Sequence, residues 1–317
     1  MGKRIVIAGG SGFIGQYLTD AFRTEGDSVA LIGRNGPDAR WGGTAAITDL
    51  LDGSDVLINL AGKSVNCRYN AANRAEIRRS RVETTRELAR AAADCEHPPA
   101  LWINSSTATI YRHADDRPMT EETGELGSGF SVDVATAWEK EFFDADLPET
   151  RRVALRMAIV LGDGSALVPL ARLARFGLGG PQLDGHWFST EEGRREGTFH
   201  EFRTGGGRQK FSWVHQDDVL GSIRFLMAGD LSGVVNVSAP NPSDNRTMMA
   251  TLRRVLGAPA GLPAFRWMLE LGSIAIRTET ELILKSRWVL PKRLQDAGYQ
   301  FHHPELEPAL RSILRKQ

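Results

Sequence analysis

The chain has 317 residues, enough to bury a full core, and reads as one large domain or as a large domain with a smaller partner. Lys and Arg together number 39, as do Asp and Glu, so net charge supplies no basic surface for nucleic acid or for an anionic membrane. The two cysteines, Cys67 and Cys95, have no metal-like spacing, no long apolar segment occurs and no secretory leader is visible, so a reduced, cytoplasmic protein is expected.

Ile5 to Ala8 is an apolar run of the kind buried on both faces of a parallel sheet. Ile14, Leu18 and Phe22 then recur at helical spacing, and Gly26 closes that helix. Between strand and helix stand Gly9, Gly12 and Gly15, spaced G-x-x-G-x-x-G. One such glycine makes the tight turn, one lets a pyrophosphate approach the backbone, and one allows close helix–strand packing. With Ser11, Phe13 and Ile14 they form a dinucleotide-binding turn, whose free N–H groups and helix dipole face an anion.

The second strand, Ser28 to Gly33, ends in Arg34. An acid there would favour NAD, whereas a planar cation suits the 2′-phosphate of NADP; a solvated surface arginine is the alternative. Asp55 to Gly62 is a buried strand whose Leu60-Ala61-Gly62 end allows a ligand close to the backbone, and Lys63 beyond it is a candidate to reach substrate or phosphate. A long helix over Asn73 to Ala93 turns Ile77, Leu88 and Ala92 inward and arginines outward. Leu101 to Tyr111 is a strand ending in hydroxyls, Ser105 and Thr107 among them, which either polarise a substrate carbonyl or satisfy loop backbone.

Residues 112–129 read as a loop over the site, Val132 to Phe143 as a helix, and Arg152 to Leu161 as a further strand. Leu167 to Gly180 gives a helix, and the polar residues 182–210 an inserted flap or extended hairpin with no metal-binding spacing. Gln209 to Val214 and Val234 to Ser238 read as strands, with a helix opening after His215. The rest is mostly helical, including Arg277 to Leu290 before Pro291 and a short helix closed by Gly298. The expected architecture is α/β, a doubly wound parallel Rossmann sheet with a smaller, mostly helical C-terminal substrate region. The dinucleotide-binding domain takes residues 1–165, with its sheet completed by about 211–240, and the C-terminal region takes 166–317.

In combination Gly9–Gly15, Asn59–Gly62, Ser105–Tyr111, Leu155-Arg156 with Val160-Leu161-Gly162, and Phe211–Val219 resemble the extended short-chain dehydrogenase/reductase superfamily, NAD(P)-dependent epimerase/dehydratase-like. Asn59–Tyr69, Phe130–Ala135 with Trp138-Glu139, Gly177–Gly180 and Thr278–Leu282 are similar to a divergent epimerase-family branch with a C-terminal domain of unknown function. The superfamily's chemistry uses a tyrosine as general acid/base, a lysine one helical turn later, and a hydroxyl that orients the carbonyl. By this resemblance Thr107 takes the hydroxyl position, Ser131 stands where the tyrosine should, and Ala135 where the lysine should, so the Tyr-x-x-x-Lys pair is absent. Arg156 falls near the nicotinamide half of the cofactor, with an internal ion pair as the alternative; Lys63, Tyr111 and His215 are candidates for the substrate side.

The reading is an NADP-dependent (NADPH) oxidoreductase or epimerase-like enzyme for a hydroxyl or carbonyl compound. A non-catalytic NADP-binding sensor or interaction protein is the alternative. Thr107 and Ser131 are the catalytic candidates, with no metal, nucleic acid or membrane partner, as a monomer or homodimer.

Overall fold

The computed structural model describes residues 2–164, 167–275 and 279–314. In chain order its strands are β1 (Arg4–Ala8), β2 (Ser28–Gly33), β3 (Ala39–Arg40), β4 (Val56–Asn59), β5 (Leu101–Thr107), β6 (Arg151–Met157), β7 (Ile159–Leu161), β8 (Lys210–Phe211), β9 (Trp213–His215), β10 (Gly233–Val237) and β11 (Ser243–Asp244). Helices α1 (Phe13–Thr24), α2 (Thr44–Leu51), α3 (Ala71–Ala93) and α4 (Phe130–Phe143) accompany the first half. The second half carries α5 (Leu167–Arg175), α6 (Glu191–Arg195), α7 (Gln216–Ala228), α8 (Asn245–Leu256), α9 (Arg266–Ala275), α10 (Glu281–Leu284), α11 (Lys292–Asp296) and α12 (Leu306–Leu314).

Seven strands form one parallel sheet in the order β10-β6-β5-β4-β1-β2-β3, so the doubly wound sheet expected from the sequence is present. Its direction of winding reverses between β1 and β4, and that is where ligands enter open α/β sheets. Successive strand residues face opposite sides. Ile5, Ile7, Ile58, Ile103 and Leu155 pack with Leu18 and Phe22 of α1 and Val219 and Ile223 of α7. Val6, Leu57, Trp102 and Ala154 pack on the other side with Ile47 of α2, Leu88 of α3 and Phe142 of α4. A smaller core joins β7 and β9 to α5, α8 and α12 through Trp213, Met248, Leu252 and Leu310. Among the described residues, no helix is long and apolar enough to cross a membrane.

β1 and α1 meet through contacts that no side chain could occupy. Gly9 has a left-handed φ of 84°, and a Cβ there would lie 2.8 Å from the Ala61 nitrogen. A Cβ on Gly15 would lie 2.6 Å from the Gly9 oxygen. One on Gly12 would come no nearer than 3.5 Å to that oxygen, so the space beside Gly12 is open.

Several expectations need correction. The strand expected over Arg152 to Leu161 divides after Met157, where β5 offers no further partner: β6 stays in the main sheet, and β7 pairs with β9 instead. α5 stops at Arg175, short of the expected Gly180, because Gly177 takes a left-handed φ of 75°. Residues 182–210 form no hairpin; they hold α6 and a single 3₁₀ turn and are fastened by Asp184 to Arg266 at 2.7 Å and by Glu196 to Arg74. Of the helix expected over Arg277 to Leu290, Arg277 and Thr278 lie outside the described residues, and among the described ones only α10 is helical. Residues 285–290 run extended because their backbone is taken by neighbours on both sides: Ala114 and Met119 donate to Ser286 and Trp288, while Arg287 donates to Lys210. The loop 112–129 is therefore docked on this strap, through Met119 and Val289, and does not line the cleft described below.

Gly15→Ala should lower stability by roughly 1–3 kcal/mol, as overpacking against backbone does. Gly12→Ala should cost less than about 1 kcal/mol; urea unfolding of the two variants separates these outcomes.

Candidate functional site

The carboxyl ends of β4 and β5 open into a cleft of about 320 Å³. Its floor is set by a buried polar network. Asn59 donates to Asn104 Oδ1 at 2.7 Å and to Thr85 Oγ1 at 3.1 Å, while its own Oδ1 accepts the Ala61 N–H at 3.0 Å. Trp138 Nε1 donates to the same Thr85 oxygen at 2.9 Å, so the Leu60–Gly62 turn, α3 and α4 hold one relative position. Every one of these polar groups is buried and bonded, which rigidifies the edge that a ligand would meet.

Leu60, Ala61, Gly62, Lys63, Ser105, Thr107 and Ser131 all line this cleft, as the sequence reading expects. Thr107 Oγ1 accepts the Thr109 N–H at 3.1 Å, which leaves its O–H for the cleft. Ala135 also lines it, where a lysine would stand in the superfamily pattern. A second groove, of about 510 Å³, runs from Gly10 and Ser11 along α1 to Gly33 and Arg34 at the end of β2. Asp20 of α1 also lines this groove, and Asp38, next to its lining residue Pro37, is engaged by the Leu31 N–H at 2.7 Å.

The glycine turn fits a dinucleotide. The twelve-residue α1 begins at Gly12 with no side-chain cap and no acid in its first turn, so its N-terminal N–H groups keep their capacity for an anion. The room beside Gly12 would admit a pyrophosphate, Phe13 and Ile14 open the helix there, and Arg34 borders the groove at the end of β2.

Three candidates lie elsewhere. Arg156 is buried and forms a two-pronged pair with Glu139, Nη2 to Oε2 at 2.6 Å and Nε to Oε1 at 2.8 Å; its alternative reading as an internal ion-pair partner is the one its contacts match. Tyr111 is 1% exposed, accepts from Arg156 and donates to Asn236 at 2.9 Å, so its hydroxyl is spent inside the core. His215 caps α7 by accepting the Asp217 N–H at 3.1 Å and stacks 3.8 Å from His303, away from the cleft lining. His215, Asp217 and His303 are the one group of metal-type donors gathered among the described residues, and Tyr17 donates to that carboxylate at 2.6 Å.

The cleft also contains groups that the sequence reading did not select. Tyr69 packs edge-on to Phe130 at 5.0 Å; burial, and next the Glu281 charge, raise the pKa of its phenol. Arg81 lies over Trp138 and donates to the Lys63 and Ile77 carbonyls, and burial lowers it to about 10, still a cation at neutral pH. Ser131 Oγ donates to Glu281 Oε2 at 2.7 Å. Glu281 is 3% exposed. Burial alone would raise its pKa, but His200 at 3.4 Å, Lys285 at 4.0 Å and the Ser131 hydroxyl reverse that and hold it near about 2. Lys285 is pushed down by burial to about 8, with Glu281 opposing. Glu281 stands 150 residues beyond Ser131 in the chain, so no local motif joins them.

The NAD-dependent epimerase/dehydratase family model matches residues 5–130, and a domain of unknown function, DUF1731, matches 264–313. The mouse epimerase family protein SDR39U1 is 31% identical over 322 residues, covering 98% of this chain and 99% of that one. The Bacillus subtilis epimerase family protein YfhF is 30% identical, covering 98% and 97%. The crystal structure of human SDR39U1 (isoform 2) with NADPH superposes with a TM-score of 0.83 at 29% identity, over 99% of this chain and 100% of that one.

Because Glu281 ionises at about 2 when folded and near its ordinary 4.5 when unfolded, it contributes stability that is present above pH 4.5 and lost as pH falls toward 2. The stability difference between wild type and Glu281→Gln should therefore shrink across that window in urea titrations. A difference independent of pH would show that the carboxylate is not held ionised.

Proposed function

This chain belongs to the epimerase family, and on that premise we propose that it is an NADP-dependent oxidoreductase or epimerase-like enzyme acting on a small or nucleotide-linked hydroxyl or carbonyl compound. The observation that carries this reading is the convergence of the open Gly12 cradle, Arg34 and two hydroxyls, Thr107 and Ser131, around adjoining clefts at the carboxyl edge of one parallel sheet. The solved relative that carries NADPH supports the choice of nucleotide. When bound, the cofactor supplies or accepts the hydride.

The chain's own residues do the remaining work. The uncapped N-terminus of α1 and the Gly9–Gly15 turn hold the pyrophosphate, and Arg34 pairs with the 2′-phosphate as a planar cation. Thr107 donates its O–H to a substrate carbonyl and fixes which face meets the nicotinamide. Leu60 to Gly62, held by the Asn59 network, bring the backbone close enough to exclude water from that edge.

A second reading, a cofactor-binding sensor or interaction protein without turnover, draws on Ala135 in place of a lysine and on the exposed apolar side chains of Trp267, Leu271 and Ile274 on α9. NADPH deuterated at its transferable position, incubated with the protein and a cell metabolite extract, separates the two. Label in a metabolite supports the enzyme, while bound cofactor with its label retained supports the sensor.

Arg34→Ala should weaken NADPH binding by about 10- to 100-fold and leave NADH within about twofold, since only NADPH carries the extra phosphate. Equal losses in fluorescence titrations would remove Arg34 from selection. Gly12→Val should abolish binding of both nucleotides while the protein keeps its cooperative melt.

A further inference from the structure

We infer that Ser131 and Glu281, with His200 as the charge partner of the carboxylate, form a proton relay that takes over the task of the absent tyrosine and lysine, with its carboxylate supplied by the C-terminal region. The inference rests on the reading of the chain as a hydride-transfer enzyme.

Ser131 lines the cleft, yet a serine hydroxyl alone is a poor acid or base at neutral pH. What it requires is a partner for its proton. Glu281 Oε2 accepts that proton at 2.7 Å, so the Ser131 oxygen, beside the Tyr69 phenol, faces a substrate hydroxyl as an acceptor. His200 Nε2 stands 3.4 Å from the same carboxylate oxygen. The imidazole is held in place by stacking on Phe202 at 5.2 Å, which in turn stacks on His113 at 4.8 Å, and by Arg266 donating to the His200 carbonyl.

Burying a carboxylate is costly, and a structural ion pair offsets the cost by closing every hydrogen bond. Glu281 does not do so. The nearest lysine, Lys285, stays 4.0 Å from Oε1 and gives its hydrogen bond to the Thr109 carbonyl at 2.7 Å. Oε1 accepts none among the described residues. The carboxylate is thus kept charged by its surroundings with one oxygen left under-bonded, so Oε2 is an ionised acceptor fixed at the Ser131 hydroxyl. Lys285 acts on it through charge, as the family's lysine acts on its tyrosine.

In the oxidising direction the substrate O–H bond breaks and its proton passes to Ser131 Oγ. The Ser131 proton moves to Glu281 Oε2, which holds it for the return step, with His200 and Lys285 beside the carboxylate as its charge partners. The C–H bond breaks as hydride, reducing NADP⁺, and a carbonyl forms; reduction runs the same transfers backward. Besides Ser131 and His200, the groups facing Glu281 are Tyr69, Glu279, Lys285 and Arg287.

The test combines deuteride transfer from labelled NADPH into a cell metabolite extract, NADPH affinity by fluorescence, and ¹³C NMR of protein labelled at glutamate carboxyl carbons. Ser131→Ala should lower label transfer by roughly 100-fold or more, in the range of a lost general acid–base group, with NADPH affinity within about twofold. Ser131→Thr should recover at least about tenfold of that loss. Glu281→Gln should lower transfer at least about tenfold and flatten its pH profile, and the resonance that this variant removes should shift in Ser131→Ala. Transfer in Ser131→Ala and Glu281→Gln within about twofold of wild type, with an unchanged pH profile, would overturn the relay and leave the enzyme reading standing. Wild-type protein that binds NADPH and transfers no label would overturn both. If Glu281→Gln fails to fold, the Ser131 pair decides, because both variants keep the buried carboxylate.

Discussion

The absence of any side chain at Gly9 and Gly15 is the constraint on which the rest of the molecule depends. Atoms that would be Cβ carbons lie 2.8 Å from the Ala61 nitrogen and 2.6 Å from the Gly9 oxygen, so β1, α1 and the turn after β4 converge on one point only because nothing occupies it. That convergence places the N-terminus of a helix beside the point where the sheet reverses direction. Both grooves open from there, one toward Arg34 and the other toward Thr107 and Ser131. The same closeness explains why Asn59 and Asn104 are buried without penalty: each is bonded, and the Asn59 amide oxygen orients the Ala61 backbone.

The C-terminal region contributes more than a cover. Its extended strap threads between the loop after β5 and β8, and the short α10 just before it delivers Glu281 to the N-terminal end of α4. Segment 182–210 is fastened from the opposite side and brings His200 to the same carboxylate. Three stretches distant in sequence therefore complete one polar cluster at the cleft wall. A helix alone would present Ser131 as an ordinary surface hydroxyl.

What was legible in the sequence follows the range of the interactions. Local period and glycine spacing point to β1, α1, β2 and a parallel sheet, because strand alternation and helix spacing are written within a dozen residues. That Leu60 to Gly62 line the cleft, and Gly10 and Ser11 the neighbouring groove, follows from their position at strand ends. Arg156 takes the internal ion pair that is its alternative reading, and Tyr111 does not reach the cleft; the sequence leaves both open because it does not show Glu139 and Asn236 waiting inside. His215 was a reasonable titratable candidate, yet its ring is spent on a helix cap. The 285–290 stretch looked helical because no single sequence window reveals that its N–H and C=O groups are claimed by residues far away in the chain. For the same reason nothing local joins His200, or Glu281 in the Thr278–Leu282 stretch, to Ser131.

A crystal structure of the chain with NADPH shows where each part of the nucleotide sits. The pyrophosphate is expected over Gly12 at the start of α1, the 2′-phosphate beside Arg34, and the nicotinamide in the cleft facing Thr107 and Ser131. Cofactor bound with its nicotinamide outside that cleft, or with its phosphates away from the glycine turn, would contradict that placement.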